Sequence, residues 1–562
     1  MNIKYQYGYV KSLLQRYGLR GLLLKMIERS KSPMLSYGKQ YGRYLPTAEE
    51  LAYQRKTPLS YAPKVSIVIP AYETPEAFLR ELTESVLAQT YPNWELCIAD
   101  GSASDHVKNI LAEYMKKDSR IRYRHLEENG GISRNTNGGF AMAEGEYIAL
   151  MDHDDLLTAN ALYEMVRCLN EQYTKQERTY ALVYSDEDKI GGDGSVYSRP
   201  HFKPDYNPEF LRHNNYFCHF MMLSAALVEK TGGLNPEYDG AQDYDFVLRC
   251  IEEGAVVSHV PEILYHWRIH EGSTAGNSAD KAYAFDKGCL AIEKHLQRIG
   301  EDGSAAVTAN LGVYRVTYEL NGYYEVTVVA EDPIQLENVK EHYGEQFLEE
   351  GQFRIRFHYI CSADWQKTVQ ACKEGDYILL LLKGVQVEPE GLAETLLSYC
   401  AHPQVALAAP KLLDGHKRVH SCGYTYSSDG SLTALCGGLY AEYKGYFLHA
   451  VIPQNVSILP FFCVMFRREA IEQADGFDSG TSAAYLAADF CFRLQELNYQ
   501  RIIVPEITAV ISGADSRRQT SDDPGEREAF QRRWQHILAS DDPCYNRNLS
   551  RKPGHTYAME ES

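Results

Sequence analysis

Three carboxylates crowd into four residues at Asp152-His153-Asp154-Asp155, directly after the apolar run Tyr147 to Met151. Like charges this close repel. Such a cluster suits a hard divalent cation, Mg²⁺ or Mn²⁺, held through oxygen ligands. A cation so held neutralises a diphosphate. The structural alternative is that one Asp caps the helical stretch "LLTANALYEMVRCL" (156–169). Thr158 is available for that, and one cap does not need three acids.

Four further stretches carry groups suited to binding or proton transfer. Asp100 ends the run "WELCIAD" (94–100) and precedes Gly101-Ser102. It reads either as an Asx turn or as an acceptor for a pyrimidine imide N–H. "NGGISRNTNGG" (129–139) reads as a plain loop or as a close backbone approach to phosphate or sugar, with Asn129, Gly130 and the cation of Arg134. "GAQDYDFVLRC" (240–250) places Asp243 and Asp245 before a helical run, so one acid can cap and the other can act as a base. "YHWRIH" (265–270) adds His266, Trp267, Arg268 and His270, either as structural side chains or as ligand contacts.

These residues need a scaffold, and the pattern from Lys64 onward supplies one. "VSIVIP" (65–70), "WELCIAD" (94–100), "IRYRHL" (121–126) and "EYIALM" (146–151) read as strands. Helical stretches separate them, near 75–87, 105–117 and 133–143; Thr74-Pro75 is an N-cap residue followed by Pro at the first helical position. The alternation predicts an α/β fold of right-handed βαβ units with a parallel sheet. Such sheets bind ligands beyond the carboxyl ends of their strands, where Asp100 and Asp152 to Asp155 fall.

Length and charge set outer limits. A chain of 562 residues has room for about three units of roughly 100–200 residues. The net charge of −19 argues against a nucleic-acid binder. Residues 1–60 run the other way, with 11 Lys and Arg against Glu28, Glu49 and Glu50. Within them, residues 9–30 read as a basic amphipathic helix, either docked on the protein or lying on an anionic membrane surface. No apolar run reaches the roughly 20 residues of a membrane span, and the opening residues lack the features of a signal peptide. Thirteen Cys without a CxxC pair read as reduced thiols. The expectation is a cytoplasmic protein, with peripheral contact to an anionic inner membrane face as an option.

Taken together, "VSIVIPAYE", "QTYPNWELCIADGS", "NGGISRNTNG", "GEYIALMDHDD", "GAQDYDFVLR" and "YHWRIHEGSTA" resemble, in order and spacing over residues 64–276, the family 2 glycosyltransferases. "YSDEDKI" (184–190) and "FKPDYNPEFLRHNNYFCH" (202–219) are similar to the bacterial, rhamnosyltransferase-like enzymes of surface-polysaccharide assembly. The resemblance implies a GT-A fold and inverting transfer from a nucleotide-diphosphate-sugar, UDP- or dTDP-linked, to a glycan or lipid-linked acceptor. By it, Asp152 and Asp154 match the DxD metal motif, with Asp155 and His270 as further candidate ligands. Asp100 matches the base-binding Asp, although Ala99 stands where the family often has a second Asp. Pro70, Tyr72, Glu73, Asn129, Gly130, Arg134, Asp152 and His153 line the implied donor site. Asp243 matches the catalytic base, and Gln242, His266, Trp267 and Arg268 are acceptor-site candidates.

Residues 320–510 repeat the first unit. "GDYILLLLKGVQVEPEGL" (375–392) aligns without a gap on "GEYIALMDHDDLLTANAL" (145–162). "ADFCFRLQELNYQRIIVPEI" (488–507) aligns on "YDFVLRCIEEGAVVSHVPEI" (244–263). The acids are lost: Leu382 stands for Asp152, Gly384 for Asp154, Val385 for Asp155 and Ala487 for Asp243, while Asp489 keeps the place of Asp245. The expected architecture is two tandem GT-A, Rossmann-like, mostly parallel-sheet domains after a basic helical segment. The expected bounds are 1–62 for that segment, 63–312 for the catalytic domain, 313–545 for a degenerate, non-catalytic domain and 546–562 for a tail. The competing functions are a two-site polymerase, which the lost acids disfavour, and a nucleotidyltransferase. The latter normally has a Gly-rich basic loop after the first strand, whereas the loop here is "PAYETPE".

Overall fold

The computed structural model describes residues 37–270, 282–344, 348–350, 353–478, 482–512 and 524–559. The helix expected over 9–30 and the end of "YHWRIHEGSTA" lie outside these residues.

The first half is built on one sheet. Its strands are β1 (Val65–Ala71), β2 (Trp94–Asp100), β3 (Ile121–His125), β4 (Tyr147–Leu150), β5 (Leu156–Leu157), β6 (Ala181–Gly191), β7 (Tyr197–His201), β8 (Met221–Ser224) and β9 (Val256–Ile269). They lie in the order β3-β2-β1-β4-β8-β6-β9-β5, with β7 on β6. β1 and β2 are mostly apolar and buried on both faces, and their inner polar residues, Ser66 and Glu95, pair with each other at 2.6 Å. Helices α1 (Glu76–Leu87), α2 (His106–Met115) and α3 (Ile132–Phe140) follow β1, β2 and β3. The predicted parallel arrangement holds from β3 to β4. Beyond β4 the sheet is mixed, since β8 runs antiparallel to both β4 and β6.

Two capping expectations fail for local reasons. α1 begins at Glu76 with Pro75 outside it, and Thr74 makes no cap; its hydroxyl pairs with His153 Nδ1 at 2.6 Å. α4 (Ala161–Gln172) is flanked by Asn160 and has no side-chain cap, because Thr158 gives its hydroxyl to Asn160 Oδ1. None of the acids 152–155 caps it either, so capping does not explain the cluster.

The second half repeats the first strand for strand. Gly322–Ala330 takes the place of β1, Phe353–Cys361 that of β2 and Tyr377–Leu381 that of β4. Cys463–Arg467, Val405–Asp414, Gln500–Ile511 and Val385–Val387 follow in the places of β8, β6, β9 and β5. Each of these junctions keeps its parallel or antiparallel sense. The outer edge differs: Leu348–Glu350 pairs antiparallel, whereas β3 pairs parallel. A hairpin of Gly303–Val307 and Tyr314–Tyr318 joins the halves, so the expected boundary at 312/313 falls in its turn.

The halves are packed together. The ring of His201 stacks on Phe447 at 3.7 Å. Asn207 Nδ2 donates to the Asn455 carbonyl at 2.9 Å, and the Asn455 N–H returns a bond to Asn207 Oδ1 at 3.0 Å. Of the basic N-terminal segment, residues 37–56 are docked on the first half. Tyr37 is fully buried and donates to Asp188 Oδ2 at 2.6 Å, and Gln54 Nε2 donates to Glu164 Oε1 at 2.8 Å.

Candidate active site

The acid loop hangs between β4 and β9. Its short strand β5 pairs with β9 through Leu156 opposite His266 and Leu157 opposite Tyr265. The Tyr265 hydroxyl accepts from the Asp152 N–H at 3.2 Å and donates to Asp155 Oδ2 at 2.5 Å. The Arg268 N–H donates to Asp155 Oδ1 at 2.7 Å, and its guanidinium reaches the Asp154 carbonyl and Glu81. Asp155 is therefore fully buried with both oxygens engaged, and it fixes the loop.

Asp152 and Asp154 are half-buried, each beside a histidine. Asp154 Oδ2 meets His270 Nε2 at 2.7 Å, and Asp152 Oδ2 lies 3.7 Å from His219 Nε2. Ligand atoms of Asp152, Asp154 and Asp155 lie within 4.8 Å of one another. Burial pushes the Asp152 carboxyl above its usual range; His219 pulls it down, and Asp154 and Asp243 push it further up. Burial, with Asp154 and Asp152 nearby, raises Asp155 more strongly. Crowded carboxylates with an imidazole at the rim are a donor set that fits a divalent cation.

β9 separates the downstream candidates by the alternation of a strand. Trp267 lies beside the cluster, edge-on to His219 at 5.2 Å, with Lys189 Nζ 3.5 Å over its ring. His266 and Arg268 are not brought to an acceptor surface. His266 is buried between Asp188, at 2.6 Å, and Tyr41, at 3.2 Å. Arg268 is wholly buried and supports the acid loop.

The donor-side candidates gather at the ends of β1, β2 and β3. Asp100 forms the Asx turn, Oδ1 accepting from Ser102 N–H at 2.9 Å and hydroxyl at 2.5 Å, and Oδ2 from Tyr123 at 2.9 Å. Pro70, in β1, pairs in register with Ala99. Tyr72 beyond it is half exposed. Glu73 has φ 45°, a costly region for a residue other than Gly, and its N–H donates to Ser102 Oγ at 2.7 Å. Asn129 Oδ1 accepts from Gly131 N–H at 3.2 Å and Asn135 Nδ2 at 3.0 Å. A Cβ at Gly130 would sit 2.7 Å from Arg134 Cβ, so the turn requires glycine there. Arg134 is exposed at the first turns of α3.

Asp243 opens helix α5 (Gln242–Glu252), where neither Asp243 nor Asp245 serves as a side-chain cap. Asp243 Oδ2 accepts from Cys218 Sγ at 2.9 Å and Asn215 Nδ2 at 3.1 Å. Burial raises the Cys218 thiol well above its ordinary range, so it stays a protonated donor. Gln242 Oε1 accepts from Gly240 N–H at 2.8 Å. Cys218 and His219, adjacent in the chain, thus touch Asp243 and Asp152. Sequence reasoning quoted their stretch without giving them a role.

Asp245 does something else. It holds Arg249 at 2.8 Å, which clamps the carbonyls of Thr231 and Gly233. Asp489 holds Arg493 at 3.0 Å, which clamps Ala474 and Gly476 in the same way. At the lost positions, Leu382, Val385 and Ala487 are buried apolar residues.

Residues 66–232 match the model of the glycosyl transferase family 2. An uncharacterized protein of Sinorhizobium fredii is 31% identical over 546 residues, covering 88% of this chain and 58% of its own. An O-antigen biosynthesis protein of Myxococcus xanthus is 28% identical over 537 residues, covering 88% of this chain and 41% of its own. A chondroitin synthase of Escherichia coli is 32% identical over 260 residues, 46% of this chain and 35% of its own. The chain thus spans about half the length of the first two of these relatives.

Proposed function

The chain carries a glycosyl transferase family 2 domain over residues 66–232, and we propose that it transfers a sugar from a nucleotide-diphosphate-sugar to a hydroxyl of a growing surface polysaccharide or lipid-linked glycan. The acceptor class is suggested by the O-antigen biosynthesis protein among its relatives. Asp152 and Asp154, with His270 at the rim, would hold Mg²⁺ or Mn²⁺. When bound, the cation supplies positive charge against the leaving diphosphate.

The chain's own residues do the rest. Asp100, Tyr72 and Glu73 border the base and ribose, UDP- or dTDP-linked. Gly130 and Arg134 approach the donor from the turn before α3, and His153 is oriented by Thr74. Asp243, with Oδ2 fixed by Cys218 and Asn215, takes the proton from the attacking hydroxyl through Oδ1. One base on the face of the sugar opposite the leaving group gives a single displacement with inversion. Trp267 and Gln242 border the acceptor side.

The observation that carries this reading is the bridge Cys218-His219, which ties the carboxylate base to the acid cluster. The second half, without the acids, serves as a non-catalytic partner domain. The basic segment before residue 62 favours a cytoplasmic protein that touches an anionic membrane face. No described helix is long and apolar enough to cross a membrane. The test is a panel of UDP- and dTDP-sugars with Mn²⁺, read by thermal shift and by product formation. Stabilisation by a nucleotide-sugar with transfer supports the reading. Release of pyrophosphate from a nucleoside triphosphate would replace it by the nucleotidyltransferase alternative.

A further inference from the structure

Asn546 belongs to the C-terminal segment, yet it is buried against the first half's sheet. Its Nδ2 donates to both oxygens of Asp186, at 3.2 and 2.9 Å, and to the Lys203 carbonyl at 2.8 Å. Asp186 in turn accepts from the Lys203 N–H at 2.8 Å. Both are wholly buried, so neither has water as an alternative partner.

Lys203 carries the link onward. Its ammonium donates to the carbonyls of Phe217, at 3.1 Å, and His219, at 2.6 Å. Between those two carbonyls lies Cys218, whose thiol holds the base Asp243. The ring of His219 faces Asp152. A path of hydrogen bonds and covalent links thus runs from residue 546 through Lys203 to the backbone on either side of Cys218, whose thiol holds Asp243, and to His219, whose ring lies 3.7 Å from Asp152. Residues 200–202, which lead into Lys203, are pinned separately, where the Tyr446 hydroxyl accepts from the Phe202 N–H at 2.8 Å and donates to the Pro200 carbonyl at 2.6 Å.

We propose that Asn546 is a positioning residue for the first half's site, so that the C-terminal segment sets the placement of Cys218 and His219 and through them of Asp243. This deepens the transferase reading and rests on it. The segment expected as a tail is then part of the catalytic unit.

The test compares full-length wild type with Asn546→Ala. Iodoacetamide labelling is followed by mass spectrometry at Cys218, with Cys289, also half-buried and in the first half, as the internal reference. Local loosening is expected to raise the Cys218 rate about fivefold or more while Cys289 stays unchanged. In the transfer assay, kcat is expected to fall about tenfold with the donor KM held within about twofold, the signature of a misplaced base. If Asn546→Ala does not yield folded protein, Asn546→Ser, which keeps a polar side chain but shortens its reach, is expected to shift both readouts in the same direction. An unchanged Cys218 labelling rate in the folded variant overturns the proposal. Absence of donor turnover by wild type removes the transferase reading instead, and the labelling result still decides the linkage.

Discussion

The Cys218 thiol donates to Asp243 Oδ2 at 2.9 Å, the same oxygen that accepts from Asn215 Nδ2 at 3.1 Å. A half-buried carboxylate with one oxygen held is suited to the role of base proposed for it. Cys218→Ala leaves Asn215 alone on Oδ2, and kcat is expected to drop about three- to tenfold with little change in donor KM. Cys218→Ser keeps a donor and is expected to retain most of the rate. Steady-state kinetics on the two variants check this.

The three acids of the cluster are expected to separate by readout. Asp154→Asn removes a candidate ligand and should abolish the Mn²⁺-dependent thermal shift while leaving the apo melting temperature near wild type. Asp155→Ala strands the Tyr265 hydroxyl and the Arg268 N–H, each at a cost of about 1–3 kcal/mol. It should lower the apo melting temperature by several degrees. Calorimetry with and without Mn²⁺ distinguishes the two.

Stability should fall toward both ends of the pH range. His259 is buried between Asp186 and Asp205; burial lowers its pKa, but the two carboxylates outweigh this and raise it above its ordinary value. Its contribution is complete below the unfolded pKa of about 6.5 and is lost as pH rises through the higher folded value. Glu95 is the acid-side case. Burial would raise it, but Lys64, Ser66 and Arg122 hold it at about 2. Its contribution is present above the unfolded value and is lost as pH falls toward 2. Urea unfolding of His259→Asn should differ from wild type more at pH 6 than at pH 9, and Glu95→Gln should differ more at pH 7 than at pH 3.

Asp489 and Arg493 should matter for folding alone. Their clamp copies that of Asp245 and Arg249, and it sits in the half whose acids are gone. Breaking a buried pair by removing one partner costs about 3–5 kcal/mol. Asp489→Ala should lower the unfolding midpoint accordingly while the folded fraction keeps its kcat. Restoring a single acid by Ala487→Asp should give no second activity, because Leu382 and Gly384 offer no ligands.

Much of this was legible in the sequence where burial is two-sided. β2 spans Trp94–Asp100 as read, because a strand covered on both faces is mostly apolar, here from Leu96 to Ala99. The repeat was legible because the apolar positions of Tyr377–Leu381 copy those of Tyr147–Leu150. β8 was not, since four residues, Met221–Ser224, are too few to show a period or a direction. Thr74 does not cap because its partner, His153, lies 79 residues away, and Thr158 and Asp245 do not because near neighbours, Asn160 and Arg249, engage their side chains. The roles of Cys218, His219 and Asn546 depend on contacts as far as 360 residues apart. One signal was present: "SDEDK" (185–189) places charged residues in a strand that is buried from end to end. Charges in such a strand require partners, and those partners are the network around the site.

The most direct test of the central claim is Asp243→Asn, assayed with the nucleotide-sugar that stabilises wild type in the presence of Mn²⁺. The carboxamide preserves shape and the acid cluster but cannot take a proton. The account requires an unchanged ligand-induced thermal shift together with a loss of transfer of about 10²–10⁴-fold. Transfer at the wild-type rate by Asp243→Asn would contradict it.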